Sequence, residues 1–261
     1  MNRLEERFQK LAREGSKALI PYLMAGEPSW EAAAAVMAEL ESAGAAAVEL
    51  GVPFSDPIAD GPVIQAAAGR ALARGVTLEQ IFEQSARFRS HSALPLLLMG
   101  YWNVFLSFGR ERTLRAAREA GVDGLIIADL PPEADPEFFE LARQEELCTV
   151  LLASELTPLQ RLRRLAEGTG GFLYYVPQLG TTGLSLRLDA SLRGRLQLIK
   201  SLGPAPVCVG IGVKTREQVR ELTQVADGVI VGTRIVQLIH EHREEPHLPR
   251  LVGSLVRSLL P

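Results

Sequence analysis

The stretch VELGVPFSDPIADGP, residues 48–62, places a glutamate, two aspartates and three prolines within fifteen residues. It overlaps the end of the apolar run AAAVEL (45–50), so Glu49 is a carboxylate on what the pattern reads as a buried strand. A carboxylate that loses solvation has its pKa raised toward the range useful for proton transfer. A structural ion pair with an arginine or lysine is the other use for such a group. The loop after this strand carries Asp56 and Asp60 among Pro53, Pro57 and Pro62. The fixed φ of proline restricts where those carboxylates point. Aspartate beside Pro and Gly is also a common turn former, and for Asp56 both readings stand.

A second kind of chemistry is written in glycines. GTTG (180–183), GIGV (210–213) and VGTR (231–234) each follow an apolar run. Glycine lets backbone N–H groups approach an anion closely. Each motif alone is as well explained by a turn, but three on successive loops point to a phosphate held at Gly183, Gly212, Gly232 and Thr233. Arg234 either adds charge there or faces solvent. Cys148 and Cys208 lie in apolar runs without metal or disulfide spacing, which suits core residues in a reducing compartment. The four histidines (91, 240, 242, 247) lie in polar or C-terminal segments and form no Ser/His/Asp arrangement, so surface placement is expected.

These residues need a frame. Apolar runs recur at 18–24, 45–50, 94–99, 123–128, 147–153, 171–176, 205–210 and 227–232, with amphipathic segments such as 29–44 and 110–121 between them. Gly44 and Gly121 stand where helix C-caps are expected. Strands alternating with helices make a parallel sheet, and eight such units in 261 residues predict a closed (β/α)8 barrel of the TIM class, one domain over 1–261. Extra short helices are expected at the N-terminus and around 62–90. An open doubly wound sheet is the alternative. In a barrel strand alternate side chains face the interior. Val48 and Leu50 then face the helices, while Ala47 and Glu49 face inward, with Glu49 at the carboxyl end where barrel active sites lie.

The formal net charge of −3 argues against nucleic acid as the main partner. No apolar run approaches the roughly 18 residues that span a bilayer. The charged start MNRLEERFQKLAREG is unlike a signal peptide. The expectation is a soluble cytoplasmic protein.

ELGVPFSDPIADGP closely resembles the signature of the tryptophan synthase alpha subunit family, and the resemblance covers nearly the whole chain. It includes PYLMAGEPS (21–29), MGYWNV (99–104), ADLPPEA (128–134), VGIGV (209–213) and IVGTRIV (230–236). It implies a lyase that cleaves indole-3-glycerol phosphate to indole and glyceraldehyde 3-phosphate in tryptophan biosynthesis, with Glu49 as acid–base group and Asp60 beside the ring N–H. Tyr22, Met99, Tyr101, Ile126, Tyr174 and Ile211 lie at or beyond strand ends and are candidates to line the indole slot. Core packing is the competing reading for Met99 and Ile126. The resemblance further implies a beta subunit partner in an alpha2beta2 assembly, contacted near Pro53, Asp56, Asn103 and Pro132. Pyridoxal phosphate is expected only in that partner, and no cofactor or metal in this chain.

The match departs at VPQLGTTG (176–183), at LLASELTP (151–158) and at VGIGV. The first of these puts the family's lid behaviour in question. A regulatory subunit that mainly activates its beta partner, or another phosphate-binding barrel enzyme, are the alternatives.

Overall fold

The computed structural model describes residues 2–177, 188–210 and 212–261. Its strands are β1 (Ala18–Met24), β2 (Val48–Gly51), β3 (Leu96–Gly100), β4 (Gly124–Ile127), β5 (Cys148–Thr149), β6 (Leu151–Ser154), β7 (Leu173–Val176), β8 (Val207–Val209) and β9 (Gly228–Val231). All pairings are parallel, in the order β5-β4-β3-β2-β1-β9-β8-β7-β6.

The eight apolar runs become nine strands because the fifth is divided at Val150. Cys148 and Thr149 pair with β4, whereas Leu151 to Ser154 pair with β7. Val150 N–H still donates to Leu125 O at 3.0 Å. The two ends of the strand order are therefore joined by one residue, and the sheet closes. A closed barrel leaves no unpaired edge, which settles the barrel against the open sheet.

The helices begin and end for local reasons. Ser29 accepts from Ala32 N–H at 3.2 Å and starts Trp30–Ser42. Gly44 and Gly121 lie just past helix ends with φ of +93° and +72°, and the N–H groups of Ala45 and Val122 return to Leu40 O and Ala117 O. The segment 62–90 forms two helices, Pro62–Ala73 and Leu78–Arg89. Among the described residues no helix is long and apolar enough to cross a membrane.

Strand alternation divides the core in two. Leu19, Val48, Leu50, Leu96 and Leu98 pack outward against the helices. Ile20, Ala47, Leu97, Ile126, Cys208 and Ile230 fill the interior. The N-terminal helix Arg3–Arg13, expected only as an addition, sends Leu4, Phe8 and Leu11 into this interior cluster. Their spacing of four and three residues puts them on one face, and the Phe8 ring lies 5.4 Å from that of Phe172. This helix closes the amino end of the barrel. Asp123, 2% exposed, fastens it: its carboxylate pairs with Arg3 at 2.8 Å and Arg89 at 2.9 Å and accepts from Leu96 N–H at 2.8 Å. Asn2 Nδ2 donates to Asp123 O and Glu146 O.

Replacing Phe8 by Ala removes a buried ring from a closed interior with little room to collapse. Denaturant unfolding of Phe8→Ala is expected to show a loss of about 3–5 kcal/mol. An unchanged midpoint and slope would mean that the helix does not plug the barrel.

Candidate active site

The carboxyl mouth of the barrel opens into a cavity of about 850 Å³. Its floor is made by Tyr22, Met99, Leu152, Tyr174 and Ile230. Asp60 with Pro62, Val63 and Ile64 forms one wall. Ser154, Leu156, Thr157, Pro158 and Arg161 form another, and Gly212, Val213, Lys214, Gly232 and Thr233 a third. This volume lies within the range of small-molecule sites.

Glu49 occupies the inward face of β2, as alternation requires, and is completely buried. It sits at the register position of Tyr22 and Leu97. It does not itself line the cavity; it lies beneath the lining residues. Among the described residues neither carboxyl oxygen has a hydrogen-bond partner. The ion-pair alternative finds no support there. Burial alone pushes the Glu49 carboxyl up to about 8, so the group is mostly protonated at neutral pH. Tyr22 and Tyr174 flank it, and their hydroxyls are held well above their ordinary value by burial first and then by nearby carboxylates including Glu49. The two rings are fixed by close backbone: a Cβ added at Gly51 would meet the Tyr22 hydroxyl, and one at Gly210 the Tyr174 hydroxyl.

Asp60 lines the cavity and is half-buried. Burial raises its pKa, and a hydrogen bond from Tyr101 opposes the rise. The Tyr101 hydroxyl donates to Asp60 Oδ2 at 3.1 Å and accepts from Ala59 N–H at 3.0 Å. Its ring stacks on Phe54 at 5.3 Å. Tyr101 thus ties both ends of the acidic loop to the strand next door, and it does so from outside the cavity lining. On the far side, the helix Pro62–Ala73 is anchored by Arg70 and Arg74, which pair with the 5% exposed Glu27.

The remaining expected residues divide. Tyr22, Met99 and Tyr174 line the cavity, as do Gly212, Gly232 and Thr233. Ile126 is fully buried in the barrel interior and does not reach the cavity. Gly183 and Ile211 lie outside the described residues. Arg234 is half-buried and is not a lining residue. Asp56 and Asn103 are exposed, Pro132 is half-buried and Pro53 is buried. His91 and His247 are exposed; His240 and His242 are half-buried rather than fully on the surface. Both cysteines are buried and unpaired, with thiol pKa values raised by burial.

Gly232 caps the helix Thr233–Glu241 without a side-chain hydrogen bond. Gly232 and Thr233 line the cavity, so the start of that helix lies in its wall without a side-chain cap, which suits an anion. Sequence reasoning did not reach Arg161, Lys214, Ser154 or Thr157. Their one signal is position near a strand's carboxyl end: Ser154 closes β6, Thr157 and Lys214 lie on the loops after β6 and β8, and Arg161 stands in the first turn of the helix Leu159–Gly168. Nor did it find Arg195, whose guanidinium donates to the carbonyls of Ser154 at 3.4 Å, Glu155 at 3.2 Å and Thr157, bracing the wall that LLASELTP forms.

Comparison with known proteins points the same way. The sequence model described as tryptophan synthase alpha chain matches residues 8–251. The tryptophan synthase alpha chain of Synechococcus sp. (strain CC9902) is 44% identical over 232 residues, 88% of this chain and 86% of that one. The one from Phenylobacterium zucineum (strain HLK1) is 43% identical over 240 residues, 92% and 87% of the two chains. Tryptophan synthase subunit alpha of Legionella pneumophila str. Paris superposes with a TM-score of 0.91 at 35% identity, covering 99% and 97%. A chain in the tryptophan synthase a2b2 complex of Pyrococcus furiosus superposes with a TM-score of 0.87 at 39% identity, covering 94% and 98%.

The raised Glu49 pKa has a consequence for stability. Between the ordinary value of 4.5 and about 8 the folded chain keeps a proton that the unfolded chain releases. Stability therefore falls as pH rises through that window and levels off above it. Glu49→Gln lacks this titration. The stability of wild type relative to Glu49→Gln is expected to drop by a few kcal/mol between pH 5 and pH 9. Parallel pH profiles for the two proteins would show that the carboxyl is not buried as described.

Proposed function

Because the chain belongs to the tryptophan synthase alpha chain family, we propose that its cavity holds indole-3-glycerol phosphate and cleaves it to indole and glyceraldehyde 3-phosphate. The observation that carries this reading is a fully buried carboxyl without a hydrogen-bond partner among the described residues, Glu49, under a cavity whose walls offer a second carboxylate and the uncapped start of a helix.

Cleavage needs a proton on indole C3 to make that carbon tetrahedral. Glu49, neutral at rest, is the donor once its carboxyl turns up into the cavity. Protonation leaves positive charge near the ring nitrogen, which the Asp60 carboxylate stabilises from the wall. Glu49, now a carboxylate, accepts the proton of the hydroxyl on the adjacent side-chain carbon. The bond from that carbon to C3 then breaks, its electrons restore the aromatic ring, and the carbonyl of the aldehyde forms. One proton is given and one taken back, so the enzyme returns to its starting state. Tyr22, Met99 and Tyr174 offer faces to the ring, while Gly212, Gly232 and Thr233 take the phosphate. Ile211 and Gly183 belong to the same reading as pocket and phosphate residues. Tyr101 holds Asp60 in place.

The reading includes a carbon–carbon lyase class, one barrel domain over 1–261, and a cytoplasmic setting. It also includes a beta subunit partner in an alpha2beta2 assembly, the pyridoxal phosphate belonging to that partner. Asp56 and Asn103 are open to such a contact, together with Ile58 on the acidic loop, 86% exposed. Pro132 is half-buried and Pro53 buried, so the exposed residues are the ones such a contact would meet first.

Indole release from indole-3-glycerol phosphate, with and without a beta subunit, is the direct measurement. Wild type is expected to form indole, and Glu49→Gln to lose about 10²–10⁴-fold or more in kcat. Asp60→Asn is expected to lose kcat through the weaker field at the ring nitrogen. No indole from wild type even with the partner, or full activity in Glu49→Gln, would end this assignment.

A further inference from the structure

A substrate phosphate carries close to two negative charges at neutral pH, with a second pKa near 6 for a monoester. The glycine loops and one helix N-terminus answer it with partial charges, the latter equivalent to roughly half an elementary charge. A full cation in the phosphate wall would complete the balance. Two cationic side chains line the cavity among the described residues, Arg161 and Lys214.

Arg161 is committed elsewhere. Its guanidinium donates to Glu133 at 3.1 Å, and it stands on the wall with Ser154 and Thr157. Arg234, the cation that the sequence placed nearest the glycines, is not a lining residue. Lys214 directly follows Gly212 and Val213 and shares their wall with Gly232 and Thr233. It enters no ion pair among the described residues. Its main chain is held firmly: Lys214 N–H donates to Gln218 Oε1 at 2.7 Å, Thr215 N–H does the same at 3.1 Å, and Thr215 closes a capping box on Arg216–Leu222. A fixed backbone and a long exposed stem let the ammonium search the mouth of this wall at little cost.

We propose that Lys214 is the side-chain cation of the phosphate subsite, reaching from the cavity mouth to the phosphate that Gly212, Gly232 and Thr233 hold by their backbone. This rests on the substrate reading under the proposed function. It adds a charge-bearing group that sets the preference for a phosphorylated over a dephosphorylated substrate. Lys214 has no part in the proton transfers, so its loss falls on binding.

The test combines turnover with direct anion binding. For indole-3-glycerol phosphate, Lys214→Gln is expected to raise KM by about five- to thirtyfold, the range for a charge-assisted contact that is partly screened by solvent. Lys214→Arg is expected to stay within a few fold of wild type. The KM gap between wild type and Lys214→Gln should narrow as salt is raised, which loss of a merely structural lysine would not produce. Titration of the same proteins with inorganic phosphate should show the same ranking without any turnover. If wild type forms indole and Lys214→Gln matches its KM and its phosphate affinity, the lysine faces solvent and the proposal fails. If wild type forms no indole, the activity reading fails by itself. The phosphate titration still decides on Lys214: weaker binding in Lys214→Gln supports it, and equal binding overturns it.

Discussion

A closed parallel barrel must fill its own interior, and the way this chain does so governs both its stability and its chemistry. The lower half is packed with aliphatic side chains and sealed by Leu4, Phe8 and Leu11. The upper half is left hollow, and at the boundary sits Glu49 between two tyrosines. No countercharge compensates the burial of that carboxyl among the described residues, so the ionised form is the costly one. Packing and acidity are one fact here. A better-solvated Glu49 would cost less to bury as a carboxylate, and its pKa would fall back toward the ordinary value.

Asp60 is governed by the opposite logic. It lies on a loop, where position is normally loose, and the chain removes that looseness from several sides. Prolines limit the backbone, Tyr101 grips Asp60 and its neighbour Ala59, and the ion cluster of Glu27 with Arg70 and Arg74 anchors the helix that leaves the loop. Burial raises the Asp60 pKa as well, and the Tyr101 hydrogen bond opposes that rise. Two acidic residues eleven positions apart in sequence thus meet different surroundings: Glu49 is buried with no hydrogen-bond donor among the described residues, while Asp60 faces the cavity and accepts from Tyr101.

Much of this frame was legible in the sequence because it derives from period and punctuation. The apolar runs located every strand, and the alternation of Val48, Glu49 and Leu50 set the direction of the carboxyl. What stayed hidden depends on contacts between distant residues. Nothing in LCTVLLA marks Val150 as the residue where pairing passes from one neighbour to the other. The apolar stripe of the first helix says that it packs somewhere, and only the open lower end of the barrel says where. Tyr101 is a candidate for the indole slot by resemblance; its hydroxyl meets the acidic loop at Asp60 and Ala59, a contact no local pattern in the sequence announces. Arg234, open in sequence between the site and solvent, does not line the cavity while Lys214 does, since adjacency to a glycine does not settle which way a long side chain leaves the backbone.

The seal at the lower end also has a history within each molecule. Asn2 grips backbone oxygens 121 and 144 residues further along, and Phe8 rests on Phe172. On the ribosome, at about 5–20 residues per second, the first helix emerges many seconds before the residues that receive it exist. Its apolar face must wait in solvent or in transient company until more than half of the chain has been made. The barrel therefore cannot close at its lower end until those later residues are made, and a helix synthesised well before them is among the last elements to find its place.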